Sequence, residues 1–81
     1  MDLMAYMQRF ELDNAAMALK IGCSQGAVNK WKYGHVMPTP VSLRKILQAT
    51  SGLVTADDML QAFERQVARQ AARKARNEDG Q

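Results

Sequence analysis

The sequence predicts an all-α fold, a five-helix bundle with a helix-turn-helix at its centre and an extended C-terminal helix. Three observations predict it. Apolar residues recur at spacings of three and four, and no segment alternates convincingly as a strand. Nearly every such stretch is preceded by Asp, Ser or Thr, the residues that cap helix amino termini, and glycines fall where helices have to stop. At 81 residues the chain is a single domain near the size where one core is only just sufficient.

Asp2 caps the first expected helix, on which Leu3, Tyr6, Met7 and Phe10 recur at helical spacing and are expected to face the core. Asp13 caps the second, in which Ala18 is small enough to meet a partner helix. Gly22 follows Ile21, the last apolar residue, and tolerates the positive φ that a tight turn needs. Ser24 caps the third helix, whose inward face carries Val28 and Trp31, and Gly34 ends it. After the irregular link His35-Val36-Met37-Pro38, Thr39 caps a fourth helix with Pro40 at its first position. Val41, Leu43, Ile46 and Leu47 are its expected apolar face, and Ser51-Gly52 ends it. Thr55 opens the last helix, where Asp57 and Asp58 suit the positive end of the helix dipole and Met59, Leu60, Phe63 and Val67 form a core face. Beyond Val67 the only apolar residue is alanine, while Arg65, Arg69, Arg73, Lys74 and Arg76 crowd in. The expected organisation is thus a domain over 1–67 and a basic helical extension over 68–81, whose cations are available to phosphate and whose end, from Asn77 to Gln81, is expected to be disordered.

Composition narrows the function. No apolar run approaches membrane-spanning length and no cleavable signal is visible, so a soluble, intracellular protein is expected. One cysteine, Cys23, excludes a disulfide framework and a cysteine-rich zinc site, and its place in the turn suggests a small packing residue. His35 has no second ligand at useful spacing, so no metal site is expected. No nucleophile–base pair or carboxylate pair is spaced for catalysis, so neither an enzyme nor a cofactor is expected. The six methionines read as core filler.

The net charge is +3, and it is unevenly spread. No acidic residue occurs between Asp13 and Asp57, a window that holds Lys20, Lys30, Lys32, Arg44 and Lys45. A basic stretch that coincides with a helix-turn-helix is the footprint of a DNA-binding module. Such a protein needs side chains that read base edges and others that hold phosphates. The face opposite Val28 and Trp31 carries Gln25, Gly26, Asn29, Lys30 and Tyr33. Gln and Asn pair with adenine and Lys donates to guanine, while Gly26 lets the helix sit close. Asn14, Lys20, Ser24 and Lys32 are the candidate phosphate contacts, with Arg44 and Lys45 as additions. Tyr33 is either a groove residue or a lid over the core. Trp31 is read as core rather than as a stacking platform for single strands.

Residues 14–60 resemble the Cro repressor family of lambdoid phages in its all-helical branch, with a lambda-repressor-like DNA-binding domain, and the related YdaS-type Cro/CI regulators and antitoxins. The resemblance rests on Asn14-Ala15-Ala16-Met17-Ala18-Leu19-Lys20-Ile21-Gly22, on Ala27-Val28-Asn29-Lys30-Trp31-Lys32, on Pro38, and on Ser51-Gly52-Leu53-Val54-Thr55-Ala56-Asp57-Asp58-Met59. It implies a dimer on a palindromic double-stranded DNA operator, repressing phage or prophage promoters in a bacterial cytoplasm, at the nucleoid. It also implies recognition-helix roles for Gln25, Gly26, Asn29 and Lys30, and phosphate anchoring by Asn14. The basic tail departs from that pattern and is similar instead to the long last helix of CII-type activators. An antitoxin or interaction module gripping a protein partner through this helix is the reading from another class. Leu53, Val54, Met59, Leu60 and Phe63 exceed what a small bundle readily buries, which places the expected dimer interface at Leu53, Val54, Met59 and Phe63.

Overall fold

A computed structural model describes the backbone of residues 1–79 and the side chains of residues 1–73. The five helices are α1 (Leu3–Arg9), α2 (Asn14–Ile21), α3 (Gln25–Lys32), α4 (Pro40–Ala49) and α5 (Ala56–Asp79). No strand occurs among the described residues. None of the helices is long and apolar enough to cross a membrane.

Each helix starts where a side-chain oxygen can take up a free amide. Asp2 Oδ1 accepts from Ala5 N–H at 2.7 Å, Asp13 Oδ1 from Ala16 at 2.8 Å, and Ser24 Oγ from Ala27 at 3.1 Å. Thr39 Oγ1 accepts from Ser42 N–H at 3.3 Å, with Pro40 at the first helical position. At α5 the arrangement is reciprocal. Thr55 Oγ1 accepts from Asp58 N–H at 3.2 Å while Asp58 Oδ2 accepts from Thr55 N–H at 2.9 Å. This is a capping box, a tighter role for Asp58 than the dipole interaction expected of it.

The core joins all five helices. Leu3, Tyr6 and Met7 of α1 meet Met17, Ala18 and Ile21 of α2, Val28 and Trp31 of α3, Ile46 of α4, and Val54 and Met59 around the start of α5. Phe10, expected to face this core, does not. It caps α1 where the chain turns out of the helix, is 47% exposed, and lays its ring on Tyr6 at 4.6 Å between centroids. Val41 and Leu47 are also exposed, at 67% and 41%. At about 100° per residue Leu43, Ile46 and Thr50 share one side of α4 and Val41 falls opposite them, so the four apolar residues never formed a single face.

Thr50 is the polar member of the core. It is 1% exposed, donates its hydroxyl to the Ile46 carbonyl at 2.8 Å, and accepts from Val54 N–H at 3.1 Å. One hydroxyl thereby ties the end of α4 to the link that starts α5. Helix α5 runs unbroken through the expected boundary at residue 67 and continues to Asp79, so Asn77–Asp79 belong to the helix and not to an irregular terminus. Gly80 and Gln81 of that expected terminus lie outside the described residues.

Candidate nucleic-acid interface

Helices α2 and α3 pack on one another more than on any other element, and three residues join them. Gly22 caps α2 at φ 88°, and both its N–H and that of Cys23 donate to the Ala18 carbonyl, at 2.7 and 3.0 Å. That closure places Ser24 at the start of α3. Cys23 is half-buried beneath the turn. Burial pushes its thiol above the ordinary pKa, and the Lys45 ammonium of α4 opposes the shift.

The exposed side of α3 can be drawn from its helical angles. Gln25, Asn29, Tyr33, Gly26 and Lys30 fall within an arc of about 140°, and Val28 and Trp31 lie on the other side. Those five residues are all exposed, whereas Val28 and Trp31 are 0% and 8% exposed. The indole is thus core, as expected, and not a stacking platform. Tyr33 is 47% exposed and lies at the surface just beyond the end of α3. Nothing lies within 4 Å of where a Cβ on Gly26 would be, so the helix backbone is open to close approach there.

Lys32 lies on the flank of this arc and is tied into a polar chain. Its ammonium donates to Asn14 Oδ1 at 2.9 Å, and Asn14 Nδ2 reaches Asn29 Oδ1 at 3.4 Å. The same ammonium sits 5.1 Å from the Tyr33 ring centroid, a cation–π distance. The first residue of α2 is thereby linked to the middle and end of α3. In this chain Asn29 uses its side-chain oxygen, which retains a second lone pair, and its amide hydrogens have no partner among the described residues.

Not every expected residue joins this cluster. Lys20 is exposed at the far end of α2, six residues and about 120° around from Asn14. The Ser24 oxygen is engaged in capping, leaving its hydroxyl hydrogen for another acceptor. Val54 and Met59, expected at a dimer interface, are 0% and 2% exposed within this chain's own core and are corrected to core residues. Phe63 is half-buried, and Leu53 is 47% exposed.

Two further groups border the site. Glu11 and Asp13 line the same open groove as Asn14, Gln25 and Lys32, on the α1–α2 side. At the other end Lys32 and Tyr33 share a groove with Arg65 and Arg69 of α5. Among the described residues no three His, Cys, Asp or Glu side chains come together in a way that would hold a metal ion. No protein-family model, curated protein or solved structure matches this chain.

Proposed function

We propose that this chain is a sequence-specific binder of double-stranded DNA, a transcriptional regulator of the Cro repressor type from a phage or prophage, acting in the bacterial cytoplasm. One observation carries the reading. An exposed helix face of Gln25, Gly26, Asn29 and Lys30 with no acidic side chain follows a three-residue turn, and its flank is braced to the preceding helix by Lys32 and Asn14. Helix dimensions match the major groove, and these side chains offer the donors and acceptors that base edges there require. Repression follows from occupying a promoter.

A dimer on an inverted repeat belongs to the same proposal, with its surface moved. Among the apolar side chains left outside the core, which also include Phe10, Leu19, Val36 and Val41, are Leu47 on α4, Leu53 in the link, and Leu60 and Val67 on α5, at 41%, 47%, 42% and 47% exposure. Leu47 and Ala56 line one shallow groove between α4 and α5, and Leu60 lies one turn beyond Ala56 on the same side of α5. Leu47→Asp and Leu60→Asp are expected to give monomers by analytical ultracentrifugation.

Selection of bound fragments from a random duplex pool tests the whole reading. It is expected to return an inverted repeat with half-sites about one turn of DNA apart, roughly 34 Å. On that site Gln25→Ala, Asn29→Ala and Lys30→Ala each cost about 1–3 kcal/mol and relax preference at one or two base pairs. Lys20→Ala weakens all sequences alike and flattens the salt dependence by about one phosphate. A pool that yields no enriched sequence overturns the proposal.

A further inference from the structure

Three arginines of helix α5 fall on one side of it. At about 100° per residue, Ala62, Arg65, Gln66, Arg69 and Arg73 lie within an arc of roughly 100°, and Glu64 is on the far side of the helix. The direction of this arc is set by packing. At Ala62 the α5 backbone lies directly against Gly34, where a Cβ would strike the Ala62 carbonyl group. The arginine side is therefore the side turned towards the end of α3. Lys32, Tyr33, Arg65, Gln66 and Arg69 line a common groove of about 250 Å³ there.

A single acid enters that groove. Asp2 uses Oδ1 to cap α1 and meets Arg65 Nη2 through Oδ2 at 3.3 Å. The two ion pairs among the described residues, Met1–Asp58 and Asp2–Arg65, leave Arg69 and Arg73 without an acidic partner, and both are exposed. The Asp2–Arg65 pair is itself 35% and 57% exposed, so it holds Arg65 over the groove only weakly.

We propose that this side of α5, together with Lys32, is a phosphate-binding strip that grips the DNA backbone beyond the base pairs read by α3. The inference rests on the DNA-binding reading and extends it to a second contact surface. From Arg65 to Arg73 the helix rises about 12 Å. That length matches roughly three to four base pairs along a duplex at about 3.4 Å each. A guanidinium donates in a planar fork suited to phosphate oxygens, and the strip offers three of them, two of which share the groove with Lys32. Such contacts carry no sequence information and add to affinity and register alone.

Full-length protein is titrated by fluorescence anisotropy against the selected duplex cut at the edge of its recognised sequence. It is also titrated against duplexes extended on each side by about half a helical turn of arbitrary sequence, across a salt series. The wild type is expected to bind the extended duplex roughly tenfold or more tighter at low salt. The triple variant Arg65→Gln, Arg69→Gln, Arg73→Gln keeps helix propensity, as circular dichroism will check. It is expected to lose that gain and to flatten the slope of log affinity against log salt by about 2–3 while choosing the same sequence. Asp2→Asn retains the helix cap and is expected to bind the extended duplex more tightly than wild type. Equal wild-type affinity for cut and extended duplexes, or a triple variant with the wild-type slope, overturns the strip and leaves the α3 reading intact. Failure to select any duplex overturns both.

Discussion

Gly34 offers a test of the fold that separates backbone strain from packing within one molecule. Among the described residues three glycines hold positive φ: Gly22 at 88°, Gly34 at 76° and Gly52 at 83°. Replacing any of them with alanine forces an L residue into left-handed backbone, at roughly 1–2 kcal/mol. At Gly22 and Gly52 that is the whole penalty, because nothing lies within 4 Å of the added Cβ. At Gly34 the Cβ would strike the Ala62 carbonyl oxygen and come within 2.7 Å of its carbon and 3.1 Å of Phe63 N. These are backbone atoms of α5, which no rotamer change can clear. Overpacking of this kind adds about 1–3 kcal/mol, so Gly34→Ala should cost roughly 2–5 kcal/mol in all. A chain of this size has only about 4–12 kcal/mol to lose. Urea unfolding of the three variants reads the difference, with an unchanged m value certifying that midpoints can be compared. Hydrogen exchange is expected to quicken around Ala62 in Gly34→Ala and not in the other two. Equal destabilisation of all three would show that α5 does not rest on the end of α3, and would remove the geometric basis of the arginine strip.

Thr50→Val keeps the shape of a core side chain but leaves Val54 N–H without its acceptor, and should cost about 1–3 kcal/mol in urea unfolding, whereas Thr50→Ser keeps the hydroxyl and should cost less. The Asp58 carboxyl is held below its ordinary pKa chiefly by the Thr55 backbone N–H, with help from the Thr55 hydroxyl and the Met1 ammonium against partial desolvation. A depressed folded pKa contributes stability above the unfolded value near 3.9 and loses it as pH falls through the folded one, so melting curves from about pH 5 downwards should fall more steeply for wild type than for Asp58→Asn. Trp31→Ala should cost about 3–5 kcal/mol and unfold much of the population, and a stable, fully helical variant that has lost only DNA binding would place the indole outside the core.

What was legible in the sequence was local chemistry. Asp2, Asp13, Ser24 and Thr39 each announce a helix start because a short side chain reaches an amide two or three residues on, and all four do so. Gly22 and Gly34 announce helix ends because few other residues accept their backbone angles. The side of α3 that carries Gln25, Asn29 and Lys30 follows from spacing once Val28 and Trp31 are inside. What escaped was information carried between distant elements. Val54 and Met59 look surplus when apolar residues are counted along the chain, yet the approach of α1, α4 and α5 makes room for both. Thr50 looks like a surface residue because a hydroxyl usually is one, and only the path from Ile46 to Val54 shows that both its hydrogen-bonding directions are filled indoors. The contact of Gly34 with Ala62 spans 28 positions and leaves no local mark at all.

The same distinction applies to charge. The absence of acids between Asp13 and Asp57 is a property of the sequence, and in space the site is bordered by acids from outside that window. Glu11 and Asp13 sit on the groove that also holds Asn14, Gln25 and Lys32, while Lys32 shares the second groove with Asp2, Arg65 and Arg69 on the α5 side. Asp13 has one oxygen committed to Ala16 N–H, and its charge is still present. A polyanion lying across α3 thus meets a field that rises from the start of α2 towards α5. The Asn14 side chain also braces Lys32, through an oxygen that a phosphate contact would not use. Asn14 Oδ1 holds the Lys32 ammonium at the junction of the two grooves, so that, on the DNA-binding reading, one cation would lie between the exposed face of α3 and the arginines of α5.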